Sequence, residues 1–178
     1  MIGVLRAFLY KIRFHKIGFP SKLGKALKLI KARNVSCGKK VRIMSGYRIE
    51  CYPPGTIEIG DDVSIGQNLH MISGGKLVVG NHVTFSGNVF ISNLSHSYKQ
   101  INISALKQES IIKDVYVGDY CFVGYGACIL PGTRLGKNVI VGANSVVSGE
   151  FPDYVVIAGV PAKIIKKYNF NKNEWEKV

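Results

Sequence analysis

Residues 117–148 read VGDYCF, VGYGAC, ILPGTR, LGKNVI, VGANSV and VS, and their period indicates the fold of the chain. An aliphatic residue recurs at every sixth position: Val117, Val123, Ile129, Leu135, Val141 and Val147. Four positions after the first five of these comes a small or branched residue: Cys121, Ala127, Thr133, Val139 and Ser145. A period of six fits neither the 3.6-residue period of an amphipathic helix nor the alternation of a simple strand. Each hexad therefore predicts one flat side of a coil.

The same register runs through the earlier half of the chain. Hexads begin at Ile59, Ile65, Val79, Phe85 and Ile91, and a fainter copy begins at Cys37. The register resumes at Ile111 after a long interruption. Three hexads close a triangular coil, and stacked coils form an all-β solenoid, a parallel β-helix, of roughly five coils. The aliphatic residue would point inward, and the glycine after it would serve backbone conformations that are costly to other residues. A β-sandwich with turns every 8–12 residues would not keep this register.

Composition and charge narrow the class of protein. The 178 residues suit one domain, and the net charge of +13 lies entirely in residues 1–49, which hold thirteen Lys and Arg and no Asp or Glu. Residues 50–178 hold eleven residues of each sign. An even basic coat would indicate nucleic acid, so we expect no nucleic-acid partner. A basic flank on a balanced body indicates a local anionic partner or surface instead.

The cysteines and the N-terminus indicate a cytoplasmic protein, at most peripheral to the inner face of the cell membrane. Cys37, Cys51, Cys121 and Cys128 show no C-x-x-C spacing and suit free thiols in a reducing cytosol. No uninterrupted run of about 18 apolar residues is present. Arg6 interrupts the apolar start of the chain, which does not read as a secretory signal.

Residues 1–34 form a basic segment with helical spacing. Gly18 to Pro20 would divide it into two short helices. The segment could cap the first coil, which a solenoid needs for solubility, or contact a membrane or an anionic glycan; the cap is the favoured interpretation, and the two roles are compatible. The β-helix would then span residues 35–165 with a protruding loop at about 95–110, followed by a tail at 166–178. The apolar positions that give the helical spacing are Leu5, Phe8, Leu9 and Ile12, then Leu23, Ala26, Leu27 and Ile30.

The phrases VGANSVV (Val141–Val147) and AGVPAK (Ala158–Lys163) are the more specific parts of a broader likeness. Over about residues 37–168 the chain resembles the hexapeptide-repeat acetyltransferases, above all the bacterial polysaccharide and sugar O-acetyltransferases. The resemblance implies a left-handed coil, a homotrimer and active sites in clefts between subunits. It also implies acetyl-coenzyme A as co-substrate, no metal, and a sugar or glycan acceptor in surface polysaccharide biosynthesis.

His96 is the candidate general base of direct acetyl transfer. It ends the last hexad before the interruption, and a loop that projects from a solenoid is usually kept for function. Imidazole suits a base because its ordinary pKa is about 6.5; in the family, a histidine at this position takes that role. The alternative is a solvent-exposed loop histidine. Many relatives have an acidic residue just before this histidine, where this chain has Asn93 and Leu94. A backbone carbonyl or a distant residue would then orient the ring, and Asn93 would either contact the acceptor or stabilise a turn.

The resemblance also implies residues for coenzyme binding. Tyr125 and Ala143 would line the pantetheine groove through backbone atoms, and Ser148 would contact the pantetheine arm. Lys163 and Lys166 would pair with the nucleotide phosphates, the alternative being a solvated basic tail.

Three other functions stay open beside sugar O-acetyltransfer. One is N-acetyltransfer to an amino sugar or a xenobiotic amine, which nothing in the sequence separates from O-acetyltransfer. Another is a zinc hydratase, which needs three histidine ligands, although the chain has no His-x-x-x-x-His pair. The third is a non-catalytic coil used for assembly.

Overall fold

The six-residue repeat folds into a parallel β-helix in which each coil contributes strands to three sheets. The computed structural model describes residues 2–178 of the chain. We name the sheets A, B and C in the order in which the chain visits them. Sheet A contains β1 (Lys16–Ile17), β4 (Val35–Cys37), β7 (Thr56–Ile59), β10 (Lys76–Val79), β15 (Val115–Val117), β18 (Arg134–Leu135) and β21 (Glu150–Phe151).

Sheets B and C stack in the same coil order as sheet A, with parallel pairing within the helix. The parallel part of sheet B contains β2 (Lys22–Leu23), β5 (Arg42–Ile43), β8 (Ser64–Ile65), β11 (Thr84–Phe85), β16 (Phe122–Val123), β19 (Ile140–Val141) and β22 (Val155–Gly159). Sheet C contains β3 (Lys28–Ile30), β6 (Arg48–Cys51), β9 (His70–Ser73), β12 (Phe90–Ser92), β17 (Cys128–Ile129) and β20 (Val146–Val147). Seven coils therefore stack where the repeat predicted roughly five.

The second predicted N-terminal helix is wrong, and this error accounts for part of the difference in coil number. The segment that contains Leu23, Leu27 and Ile30 forms two strands of the first coil. Its backbone forms hydrogen bonds to the second coil: Lys22 N donates to Val41 O at 2.8 Å, and Leu27 N donates to Tyr47 O at 2.9 Å. The apolar residues of this segment have the spacing of an amphipathic helix. Its backbone N–H groups nevertheless bond to the next coil, so the segment is strand. The β-helix thus begins at Lys16 instead of residue 35.

One α-helix is present among the described residues. Helix α1 spans Ile2–Tyr10 and packs on the first coil. Two short 3-10 helices occur at Ala32–Asn34 and Ala105–Lys107. Within residues 2–178, no helix is both long enough and apolar enough to cross a membrane.

Two antiparallel additions depart from the parallel pattern. Strands β13 (Leu94–His96) and β14 (Ser110–Ile112) form a hairpin that carries the loop predicted at about 95–110. At the other end, β23 (Ala162–Asn169) and β24 (Glu174–Lys177) add to sheet B beyond β22. Residues 166–178 are therefore largely strand where the sequence predicted a tail.

The narrow core follows the hexad rule. The first-position residues between Val117 and Val147 are at most 4% exposed, and the small residues at the fifth position are at most 1% exposed. Cys37, Cys51 and Cys121 are buried free thiols. Burial raises the pKa of the Cys37 thiol to about 12 and that of Cys121 to about 11. The predicted inward positions are confirmed.

The expected reason for glycine after the aliphatic residue is wrong. Gly118 and its equivalents at the second hexad position do not have positive φ; positive φ recurs at the fourth position, as in Tyr120, Asn138 and Asn144. Gly118 is required because a Cβ there would lie 2.5 Å from the carbonyl oxygen of Gly136 on the next coil. Close stacking of coils, not backbone conformation, selects glycine at this position.

We expect Gly118→Ala to lower the free energy of unfolding by about 1–3 kcal/mol, because its methyl group would overpack against backbone that cannot move aside. The matched control is Gly87→Ala, whose added Cβ would lie 3.4 Å from its nearest neighbours. Urea unfolding of both variants would test the prediction. Equal stability of the two variants would contradict it.

Candidate active site

The predicted site residues lie on two of the three edges of the triangular helix. We name each edge by the sheets it joins, so the chain passes over edges AB, BC and CA in every coil. Edge CA carries the loop of His96 and, two coils further on, Ser148. Edge BC carries Tyr125 and Ala143 on consecutive coils. Sheet C separates these two groups within one chain.

His96 ends β13, where the projecting loop begins. It pairs with Ser110 of β14, and the base of the loop is closed by a hydrogen bond from Ser97 N to Glu109 O at 2.8 Å. The imidazole is partly buried, and its Nδ1 is buried without a hydrogen-bond partner among the described residues. Neither a backbone carbonyl nor a distant side chain of the described chain holds Nδ1. The other ring nitrogen, Nε2, is not among the buried side-chain atoms that lack a partner.

The loop after His96 is held by Gln108, for which the sequence contained no signal. The amide nitrogen of Gln108 donates to the carbonyls of Gln100 at 3.0 Å and Ile103 at 2.9 Å, and its oxygen accepts from Gln100 N at 3.1 Å. The loop nevertheless exposes large apolar side chains, since Tyr98 is 84% exposed and Leu106 78%. Such exposure is typical of a surface that another molecule covers.

Asn93 precedes the loop, and its side chain stabilises the turn at edge CA of the preceding coil. The residue is 0% exposed. Its Oδ1 accepts from Gly74 N at 2.8 Å and Gly75 N at 3.3 Å, and its Nδ2 donates to Ser73 Oγ at 3.0 Å. No part of this side chain is open to an acceptor. The contacts support the turn-stabilising interpretation over the acceptor contact.

Two of the five predicted coenzyme residues, Tyr125 and Ala143, lie on edge BC towards the C-terminal end. Asn144 N donates to Tyr125 O at 2.8 Å, which sets the coils of Tyr125 and Ala143 against each other. Tyr125 is half-exposed, and the side-chain amide of Asn88 donates to its hydroxyl. Ala143 is exposed.

A β-bulge places Lys163 and Lys166 on the same face of β23. Lys163 pairs with Ala158 and Lys166 with Val156, with the register shift between them. Directly opposed residues in an antiparallel pair project from the same face, so both lysines share the outer face of sheet B. Ser148 is exposed on edge CA, apart from the other four.

A carboxylate network on sheet C was not predicted. The Glu50 side chain is only 7% exposed and lies 3.0 Å from Lys28 Nζ and 3.1 Å from His70 Nε2. The Tyr52 hydroxyl donates to it at 2.8 Å. Burial alone would raise the pKa of Glu50, but the hydrogen bonds from Tyr52, Lys28 and His70 outweigh burial and lower it. The sequence contained one weak signal: Glu50 is the first acidic residue after thirteen basic ones.

The histidines of the coil lie apart from one another. His70 is on sheet C, His82 is on edge AB beside Asp62, and His96 is at the loop. Within residues 2–178, no three His, Cys, Asp or Glu side chains converge in a way that could hold a metal ion.

Comparison with known proteins identifies relatives by sequence. Residues 114–149 match the family described as bacterial transferase hexapeptide (six repeats). The putative lipopolysaccharide biosynthesis O-acetyl transferase WbbJ of Escherichia coli is 35% identical over 151 residues, which cover 81% of this chain and 77% of WbbJ. The galactoside O-acetyltransferase of Lactococcus lactis is 34% identical over 113 residues, which cover 64% of this chain and 54% of that protein.

Solved structures show the same fold at lower identity. AntD, an N-acyltransferase from Bacillus cereus in complex with dTDP-4-amino-4,6-dideoxyglucose and coenzyme A, superposes with a TM-score of 0.80 at 20% identity, covering 94% of this chain and 91% of AntD. A galactoside acetyltransferase in complex with coenzyme A gives a TM-score of 0.66 at 23% identity, covering 97% of this chain and 76% of the other. The predicted left-handed parallel β-helix is confirmed.

We expect Glu50→Gln to lower the free energy of unfolding near neutral pH by about 1–3 kcal/mol, because it removes a buried charge-assisted hydrogen-bond acceptor. A carboxyl whose folded-state pKa is lowered stabilises the fold above the ordinary glutamate pKa and loses that contribution as the pH falls through the lowered value. The wild-type protein should therefore lose more stability than Glu50→Gln between about pH 7 and about pH 3. Urea unfolding at both pH values measures this difference.

The matched control is Glu58→Gln, because Glu58 is 54% exposed and lies 3.8 Å from Lys76. An exposed pair of this kind contributes about 0–1 kcal/mol. Equal pH dependence in all three proteins would show that Glu50 adds nothing to stability.

Proposed function

The chain belongs to the hexapeptide-repeat acyltransferase family, and on that premise we propose that it transfers the acetyl group of acetyl-coenzyme A to a hydroxyl group of a sugar. The observation that carries this proposal is the placement of His96. A single imidazole stands at the base of a projecting loop with its Nδ1 buried, and we assign the other nitrogen, Nε2, to the substrate side. This is the arrangement a general base needs if a substrate approaches from outside the coil.

The relatives support an oxygen acceptor over a nitrogen acceptor. WbbJ and the Lactococcus lactis protein, both at 34% identity or above, are named as O-acetyl transferases. AntD is an N-acyltransferase, but its 20% identity supports likeness of fold alone. The name of WbbJ also favours an acceptor in bacterial surface polysaccharide biosynthesis. An amine acceptor is the alternative that the experiment below addresses.

The proposed chemistry assigns one proton transfer to His96. The acceptor oxygen attacks the thioester carbonyl carbon while Nε2 of His96 takes the hydroxyl proton. The carbon–sulfur bond then breaks, and the coenzyme A sulfur leaves with the electron pair and receives the proton from the imidazolium. For Nε2 to act as base, the neutral ring must carry its proton on Nδ1. An unpaired buried donor is costly, so an acceptor for Nδ1–H is required from outside the described contacts.

In a homotrimer, a neighbouring subunit would supply the coenzyme groove that His96 lacks within its own chain. His96 lies on edge CA and the pair Tyr125 and Ala143 on edge BC, and a six-residue side can separate two edges by up to about 20 Å. If edge BC of one subunit faces edge CA of the next, the coenzyme groove and the base would meet in the cleft between them. The exposed apolar side chains of the loop, including Tyr98 and Leu106, would be covered there. Because acetyl-coenzyme A is available in the cytoplasm, we place the reaction there.

We expect His96→Ala to lower kcat by about 10²- to 10⁴-fold, the usual contribution of general base catalysis. The measurement is release of free coenzyme A thiol with a hydroxyl sugar and its amino analogue as alternative acceptors. His82→Ala is the matched control, because His82 lies on the remote edge AB, and it should keep wild-type activity. Full activity of His96→Ala would refute the assigned base, whereas a preference for the amino sugar would redirect the proposal to N-acetyltransfer.

We expect Ala143→Trp to raise KM for acetyl-coenzyme A by about tenfold or more, equivalent to about 1.4 kcal/mol of binding, by filling the groove along edge BC. The change in kcat should be smaller, since lost binding that is uniform along the reaction appears in KM. Lys137→Trp places the same ring at the same hexad position of this coil on edge AB and should leave KM unchanged. Steady-state kinetics at varied acetyl-coenzyme A concentration measures KM for each variant. An unchanged KM in Ala143→Trp would exclude edge BC as the coenzyme-binding groove.

A further inference from the structure

Helix α1 turns its apolar side away from the protein. Its inner side contacts the first coil through Ala7, which is 5% exposed, and through the Tyr10 hydroxyl, which accepts from Ala26 N at 3.3 Å. An ordinary surface helix buries its apolar stripe and exposes polar residues. Here three large apolar residues of the helix face outward, namely Leu5 (63% exposed), Phe8 (67%) and Leu9 (57%), and Ile12 in the turn that follows is 71% exposed.

Closing the end of the β-helix does not account for these residues. The lumen of the first coils is filled by Phe14 and Tyr47, both 0% exposed. Tyr10 stacks on Phe14 with ring centroids 6.1 Å apart. The first coils are therefore filled without the outward residues of α1.

The apolar surface continues from α1 onto the first coil. Phe19 is 69% exposed and Leu27 64%. Between helix and coil lies an open groove of about 450 Å³, lined on one side by Leu5 and Phe8 and on the other by Ile17 and Phe19. We call the surface formed by Leu5, Phe8, Leu9, Ile12, Phe19 and Leu27 the cap face. So many exposed large apolar side chains at one end of the molecule are typical of an interaction site.

Positive charge accompanies the cap face. Lys11, Arg13, Lys22 and Lys25 are all exposed, and Lys11 Nζ lies 5.6 Å from the centroid of the Phe8 ring. No acidic residue occurs anywhere in residues 1–49. Two cap faces pressed together would bring like charges into contact, which disfavours a second copy in that arrangement.

We propose that the cap face docks on an anionic lipid bilayer, with α1 lying in the plane of the interface. Large apolar side chains combined with Lys and Arg are what such helices use, the apolar groups entering the headgroup region and the cations pairing with anionic lipid. The long axis of the β-helix would then point away from the bilayer surface. His96, which follows the fourth coil, would lie roughly 15 Å from the first coil along the axis, since neighbouring strands are about 4.8 Å apart.

Vesicle flotation of the full chain tests this proposal. The protein should float with vesicles of phosphatidylcholine and phosphatidylglycerol at low salt, bind much less to phosphatidylcholine alone, and dissociate at high salt as screening weakens the attraction. Leu5→Asp/Phe8→Asp should reduce bound protein at least about tenfold. Lys11→Gln/Arg13→Gln should reduce the partition coefficient by about fivefold for each charge removed.

Matched controls lie at the opposite end of the β-helix. Val178→Asp changes an apolar residue that is 75% exposed, and Lys172→Gln/Lys177→Gln removes two exposed cations. Both should bind vesicles as the wild type does. Circular dichroism and thermal unfolding check that every variant is folded.

Two outcomes would overturn the proposal. The first is vesicle binding that the α1 variants leave unchanged, or that the controls reduce equally. The second is no vesicle binding by the wild type together with a smaller oligomer for Leu5→Asp/Phe8→Asp in light scattering, which would make the cap face an interface between chains. The test is independent of the acetyl-transfer proposal, because binding is measured without substrates.

Discussion

Hydrogen bonds between successive coils constrain every other feature of this protein. Each flat side is only a few residues long, so its backbone groups have partners only on the coils above and below, as in the 2.9 Å bond from Gly118 N to Leu135 O. A buried backbone group without a partner is costly. The coils must therefore approach to full hydrogen-bonding distance along their whole perimeter, which excludes a Cβ at Gly118.

Because of this constraint, functional side chains and loops can be accommodated at the edges of the coil. The three edges differ in the hydrogen bonds and loops that they contain. Edge AB is closed by a ladder in which a side-chain oxygen accepts from a backbone N–H on the neighbouring coil. Asp61 Oδ1 accepts from Lys39 N at 2.7 Å, Asn81 Oδ1 from Asp61 N at 2.8 Å, and Asp119 Oδ1 from Asn81 N at 2.6 Å. Edge CA instead opens into the loop of His96, and edge BC presents Tyr125 and Ala143. The proposed site uses the two edges that the ladder does not occupy.

The sequence predicted those parts of the structure that a strict period controls. Val117 to Val147 keep the six-residue register, and their inward positions and the loop after Ile91 follow from it. The first coil was missed because the helical spacing of Leu23, Leu27 and Ile30 competes in the same segment with the six-residue spacing of Ile17, Leu23 and Leu29. The partners of Lys22 N and Leu27 N show that the segment is strand. No period marks Glu50, whose environment depends on Lys28, Tyr52 and His70 meeting across three coils. The burial of Asn93 likewise depends on glycines nineteen and eighteen residues away.

A β-helix also fixes distances along its axis in a way that few folds do. Because every coil adds one strand spacing, the height of His96 above helix α1 is set by the number of intervening coils and not by flexible linkers. Counting the first coil as strand instead of helix therefore moves the base one spacing, about 4.8 Å, further from the N-terminal end. If the cap face rests on a bilayer, the same hydrogen bonds that hold the coils together determine how far above that surface an acceptor hydroxyl must reach.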